Sequence, residues 1–272
     1  MPPSGEVAPS NHDGYHDAGA AALSVCNGTG GRLVVDLLRS TGALAFRPTR
    51  WGAWLVGTAA HPLGGDRLAI EATVGEGCQL DVRSIGATVA RRGPIDHPRS
   101  AMIVNAHVAD HATLRWATEP GVAANGADHR SETEVLMSNT ARLAWRDEFV
   151  LGRFGENPGT WRSHMSIIVD GNPILVSELA AGPAAAGWTS SAVLAGARAV
   201  SSMVVVDPNV HGAAAVEFVQ GTSVTGTALP LTGAGVQFTT WGDRLADCRQ
   251  LLAKLMAQVP DLSWATGRPD ES

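Results

Sequence analysis

LAIEATVGEGCQLDV, residues 68–82, alternates apolar and polar side chains on either side of a small, glycine-flanked turn. Leu68, Ile70, Ala72 and Val74 share one parity, and Cys78, Leu80 and Val82 share one after the turn. Successive side chains on a strand point to opposite faces, so this is a strand, a turn and a strand with one buried face. The phrase recurs. Val108 precedes Leu114 and Trp116 as Val74 precedes Leu80 and Val82; Met137 with Leu143 and Trp145, and Leu38 with Leu44 and Phe46, fit as well. The connecting segments RSTGA, GEGCQ, ADHAT and SNTAR are all small or polar. The spacing drifts too much for a strict repeat but suits stacked β-hairpins of one design, a β-helical sheet scaffold. The alternative is a plain antiparallel sandwich.

Outward from this core, SHMSIIVDGNPILVSEL (163–179) reads as two strands about an Asp170-Gly171-Asn172 turn, and further strand-like runs follow in 197–207 and 213–220. The one persuasive helix is GDRLADCRQLLAKLMAQVPDL (242–262). Its Leu245, Cys248, Leu252, Leu255 and Val259 form an apolar stripe, acids lie early, Lys254 lies late, and Pro260 ends it. The chain is therefore mainly β with one C-terminal amphipathic helix. Without strand–helix alternation, a doubly wound nucleotide fold is not expected. Residues 1–22 and 265–272 are polar and rich in Gly, Pro, Ser or Asp and read as flexible tails; 23–264 reads as a single β-rich domain.

The net charge is −6 with no basic stripe, so a nucleic-acid partner is not expected. Charged residues are only 17% of the chain, against about 25% in a typical soluble domain. That sparseness, with the late helix, suits a surface covered by a protein partner. Cys26, Cys78 and Cys248 form no CxxC pair, so a reducing compartment, the cytoplasm, is expected without disulfides or structural zinc. No apolar run reaches the length of a membrane span, and MPPSGEVAPSNHDGYHDAG lacks the order of a signal peptide.

HPLGGDRL (61–68) lacks the Lys-Ser/Thr of a phosphate loop and leads into a strand, so it is a turn in which Asp66 accepts amide hydrogens of Gly64 and Gly65. In LGRFGEN (151–157), Arg153 and Glu156 brace a bend as an ion pair or point into a partner or an internal polar passage. In ATEPGVAANG, Pro120 holds Glu119 extended. His107 and His111 have helical zinc spacing on a strand-and-turn segment, where they do not converge. His12-Asp13 and His16-Asp17 fall in the N-terminal tail. No GxSxG elbow occurs and Cys78 lies on a buried face, so no catalytic residues are assigned. A β-helical or sandwich carbohydrate hydrolase would need paired carboxylates, for example Glu119 with Glu148. A metal-storage protein would need a ligand cluster that the sequence lacks.

In order and spacing, PLGGDRLAIEATVGEGCQLDVRSIGATVARR, LRWATEPGVAANGADHRSETEVLMSNTARLAWRDEFVLGRFGEN, RSHMSIIVDGNPILVSEL and GDRLADCRQLLAKLMA resemble the urease accessory proteins UreD, also called UreH. The resemblance spans roughly residues 30–260. It implies a non-enzymatic β-helical sheet stack that docks on apo-urease and recruits a second accessory protein, UreF-like, which holds a UreG-like GTPase that delivers nickel. Gly64, Gly65 and Asp66 match the family's Gly-Gly-Asp turn; Glu119 and Pro120 match its Pro-Glu segment in part. Gly152, Arg153, Gly155 and Glu156 match its Gly-Arg…Gly-Glu bend, and Asp147 stands where a glutamate is usual. The run before Asp66 is shorter in glycine than the family's, and small residues replace an aromatic phrase after Pro120. No tightly bound cofactor and no stable metal site are expected. Nickel passes in transit, with Asp66, Asp147 and Glu178 as candidates for a polar internal route, because a carrier path must bind nickel weakly enough to release it.

Overall fold

The two strands of each recurring phrase lie in different sheets. The computed structural model describes residues 15–28, 33–50, 52–96, 99–210, 217–221 and 223–266. In it β5 (Asp66–Val74) belongs to one sheet and β6 (Gln79–Ser84) to the other, so the turn at 75–78 is a corner that crosses the core. β8 (Arg99–Val108) with β9 (Thr113–Ala117), and β11 (Asp128–Met137) with β12 (Arg142–Leu151), repeat the arrangement. Corresponding strands pair in parallel: Val74 opposes Val108, and Val108 opposes Met137. Leu80 opposes Leu114 and then Leu143; Val82 opposes Trp116 and then Trp145. The recurrence in the sequence is thus the register of a β-helical coil. Its paired strands face each other across the core and do not hydrogen-bond as hairpins, a distinction that alternation cannot make, since both arrangements bury one parity.

The Leu38 copy is not a rung of this coil. β2 (Leu33–Gly42) runs antiparallel to β1 (His16–Asn27) at the sheet edge, with Leu38 opposite Leu23 and 45% exposed. β1 fills the place instead, pairing in parallel with β5 so that Val25 opposes Val74. The sheet therefore begins at His16, inside the segment expected as a tail. Gly19 and Ala20 to Ala22 carry too little contrast to show a strand pattern, although Ala21 and Leu23 are buried in the core.

β13 (Thr160–Val169) and β14 (Asn172–Ala181) complete the first sheet, ordered β14-β13-β11-β8-β5-β1-β2. They form a true antiparallel hairpin, and Asp170 and Gly171 both have positive φ, as tight hairpin turns require. In the second sheet β3 (Leu44–Pro48) and β4 (Gly52–Gly57) lead to β6, β9 and β12. Beyond β12 lie β15 (Ala199–Val206), β18 (Gly235–Gly242), β17 (Val224–Pro230) and β16 (Glu217–Gln220), all antiparallel. Short β7 (Thr88–Ala90) and β10 (Gly121–Ala123) pair with each other, and β10 pairs with the end of β12.

Between the sheets, Leu80, Leu114 and Leu143 stack beneath Val74 and Val108, all buried. The rings of Trp116 and Trp145 lie parallel with centroids 4.6 Å apart. Such a contact adds about 0.5–1.5 kcal/mol beyond burial and locks the register of neighbouring coils. The helix α1 (Leu245–Met256) buries Cys248, Leu252, Leu255 and Met256 against β15, β17 and β18. Its apolar stripe is covered by its own sheet and is not left for a partner, a correction to the sequence reading. A helix pattern records that a face is buried, not by what. α2 (Ser263–Thr266) continues the fold into the segment expected as a tail.

Candidate functional site

Beyond the tryptophan pair the interior turns polar. On β12, Leu143, Trp145 and Asp147 share the inward parity, and Asp147 accepts a hydrogen bond from Ser163 Oγ on β13 at 2.6 Å. Ser131 and Thr133 of β11 and the Trp161 ring join Asp147 around a small cavity, with about 40 Å³ open to the centres of water-sized molecules. Burial pushes the Asp147 carboxyl up, Ser163 acts against that, and neighbouring Glu148 adds to it. Deeper in the first sheet, His129 is fully buried with Nδ1 2.8 Å from Ser100 Oγ. Its ring lies 4.4 Å from that of Trp161, and desolvation lowers its pKa to about 3, so the imidazole is neutral. His129 Nε2 and Trp161 Nε1 have no hydrogen-bond partner among the described residues.

The cavity extends toward a break in the second sheet. β12 pairs with β9 through Trp145 and with β10 from Phe149, so that 146–148, paired with β15 on one edge, have no strand partner on the other, opposite the bend at 118–120. Pro120 removes a ladder donor at this bend. Arg146 Nη2 donates to the carbonyls of Ala117 and Thr118, and Glu119 N–H donates to Ser84 Oγ. Outside the break, the Glu148 side chain is 0% exposed and accepts from Ser201 Oγ at 2.6 Å and from Arg249 at 2.5–3.1 Å. Arg249 also reaches Glu119 at 3.1 Å. Burial lowers the Arg146 pKa, while Glu148 first and Glu119 second raise that of Arg249. Glu119 and Glu148 are therefore bridged by one guanidinium that pins α1 to the sheet. They are not the open acid pair that a glycosidase would need of them.

The two glycine motifs lie along one corner of the coil. Asp66 Oδ2 accepts from Leu63 N–H at 2.7 Å and lies 2.5 Å from His61 Nδ1. The Gly64 and Gly65 amides bond instead to the carbonyls of Arg91 and Arg99, a correction to the local reading of the turn. A Cβ at Gly93 would lie 2.4 Å from the Gly64 backbone, so the two loops touch at a position only glycine allows. Two loops further along the same corner, Gly152 and Gly155 adopt positive φ, and Arg153 pairs with Glu156. Arg198 donates to the carbonyls of Leu151 and Glu156 from beneath. The ion-pair brace expected of this bend is present.

Glu178 stands apart. It is exposed and opposes His164, on the face of β13 that points away from Ser163 and the interior. Asp66, Asp147 and Glu178 therefore do not converge on one internal path, because strand parity separates positions that sequence distance cannot. Among the described residues no group of three or more His, Cys, Asp or Glu is placed to hold a metal. Asp17 lies 3.8 Å from Arg67 within the sheet, and His12 and Asp13 lie outside the described residues. His107 sits on β8 and His111 in the turn after it. Cys26, Cys78 and Cys248 are free thiols, and no helix among the described residues is long and apolar enough to cross a membrane. Sequence reasoning missed Arg249, His129 and Ser163. For His129 and Ser163 the only signal was a polar residue on an otherwise buried parity, and for Arg249 it was a charge beside the apolar stripe of the helix.

The UreD urease accessory protein family model matches residues 18–271. Urease accessory protein UreD 3 of Streptomyces griseus subsp. griseus is 38% identical, covering 84% of this chain and 91% of that protein. Urease accessory protein UreD of Streptomyces coelicolor is 37% identical (89% and 96%), and that of Frankia alni 40% (74% and 72%). With the β-helical stack, these likenesses agree with the motifs read from the sequence: the chain belongs to the UreD family of urease accessory proteins, a non-catalytic family with a role in urease maturation.

Proposed function

We propose that this chain is a cytoplasmic assembly platform that docks on apo-urease and engages a UreF-like accessory protein. Through that protein a UreG-like GTPase delivers nickel. Nickel is cargo here, not a resident cofactor. The observation that carries the reading is Asp147: a carboxylate enclosed between two sheets, beside a cavity reaching the break at Glu119. Nickel(II) takes oxygen and nitrogen donors, and a single carboxylate with hydroxyl neighbours binds weakly enough to release it. Asp147 is the interior member of the route. Asp66 at the corner and Glu178 on the outer face of the first sheet lie off this interior path.

The test is co-expression with apo-urease and the two accessory proteins at limiting nickel. The wild-type chain co-purifies with apo-urease and the UreF-like protein. Asp147→Ala lowers urease activation with that complex intact, whereas Asp66→Ala and Glu178→Ala separate the corner and the outer face from the interior. Unchanged activation in the triple alanine variant would refute the route, and failure of the wild type to co-purify would refute the docking.

A further inference from the structure

Two arginines flank one pair of carboxylates at the break in the second sheet, and only one of them bonds to it. Arg249 of α1 reaches both acids, Glu148 at 2.5–3.1 Å and Glu119 at 3.1 Å. Arg146 stands beside them outside hydrogen-bond range, with Nε 3.6 Å from Glu148 and Nη2 3.9 Å from Glu119. Its Nε is buried and has no hydrogen-bond partner among the described residues. Its Nη2 donates instead to the carbonyls of Ala117 and Thr118, where β9 ends at the rim of the break.

Arg146 therefore sets a guanidinium in the wall of the cavity that holds Asp147, a wall that also includes Thr118 and Glu119. Glu119 is 41% exposed and Arg146 22%, so the cavity approaches solvent on this side. A dication at Asp147 meets that like charge where little water screens it. The position of Arg146 depends in turn on Arg249. Were Arg249 withdrawn, two carboxylates already 3.6 and 3.9 Å from Arg146 would be free to accept from it, and charged acceptors outcompete neutral carbonyls.

We propose that Arg146 is a charged gate on the interior cavity. It is shut while Arg249 occupies Glu148 and Glu119, and it opens to a divalent cation when a movement of α1 withdraws Arg249. The inference deepens the reading of Asp147 above and rests on it. In it Arg249 is a positioning residue that acts through Arg146.

The experiment mixes the full-length chain with nickel(II) alone and follows quenching of tryptophan fluorescence, since Trp116, Trp145 and Trp161 line the cavity. The wild type shows a slow phase that Asp147→Asn lacks. Arg146→Gln keeps a donor for the rim carbonyls but loses the charge, and it speeds that phase roughly tenfold or more. Arg146→Lys keeps the charge and stays within about threefold of wild type. Arg249→Met also speeds the phase, but Arg146→Gln with Arg249→Met is no faster than Arg146→Gln alone, because both changes act on one gate. A helix that was merely loosened would add an increment of its own. Arg146→Gln within about twofold of wild type overturns the gate while the Asp147 reading stands. So does Arg146→Lys as fast as Arg146→Gln, or a double variant whose effects add. If Asp147→Asn quenches as the wild type does, the Asp147 reading fails and the gate fails with it.

Discussion

Replacing Arg249 by alanine tests how the C-terminal helix is held. Arg249 makes three contacts of 2.5–3.1 Å to Glu148, whose side chain is 0% exposed, and one to Glu119. Truncating one partner of a buried pair leaves the other charge uncompensated, at roughly 3–5 kcal/mol. Two features reduce that figure here. Ser201 still donates to Glu148, and Arg146 Nε remains 3.6 Å away. Arg249 is itself 38% exposed, so water already screens part of the interaction. The expected loss is about 2–3 kcal/mol, or about 5–10 °C in Tm for a chain of this size. Urea unfolding followed by tryptophan fluorescence measures it. Arg249→Met with Glu148→Gln keeps an acceptor for Ser201 while removing the charge, and recovers most of the loss. A single variant within about 0.5 kcal/mol of wild type would show that α1 is held by its apolar stripe alone.

His129 makes stability fall in acid. Its pKa is about 3 folded against 6.5 for the free side chain, so below pH 6.5 the unfolded chain binds the extra proton; stability drops by up to about 1.4 kcal/mol per pH unit toward pH 3. His129→Gln flattens that slope in urea titrations between pH 4 and 7, and an unaltered slope would refute the assignment. Asp147 has the opposite sign: its raised folded pKa means stability is lost as pH rises through it, so Asp147→Asn gains on wild type in unfolding measurements at pH 8 relative to pH 4. A variant less stable by the same amount at both values would contradict this. Gly93→Ala drives a methyl against the Gly64 backbone at 2.4 Å and costs about 1–3 kcal/mol, with loss of the corner seen as faster amide exchange at Gly64 and Gly65.

The stacking of recurrent strand pairs was legible because large apolar residues recur in phase, Val74, Val108 and Met137 in one sheet and Leu80, Leu114 and Leu143 in the other; that equivalent strands pair in parallel, with the two strands of each phrase in different sheets, was not. The strand at His16–Asn27 was not, since alanine and glycine give no contrast between faces, and Leu38 mimicked a rung by chance while lying on an edge. The corner motifs were visible as glycines with charged neighbours. Their shared corner depends on pairing across many residues, as in Gly65 with Arg99, and local sequence does not record it. Asp147 was found on the inward parity, but Glu178 fell on the other face. The Glu148–Arg249 pair joins residues far apart in the chain and became visible only once α1 was placed on the second sheet.

The measurement closest to the central claim is the nickel content and activity of urease matured in cells with and without this chain, with nickel, urease subunits and other accessory proteins held constant. A maturation scaffold predicts abundant urease protein that is nearly nickel-free and inactive when the chain is absent, restored when it is supplied. Fully nickel-loaded, active urease in its absence would contradict that role.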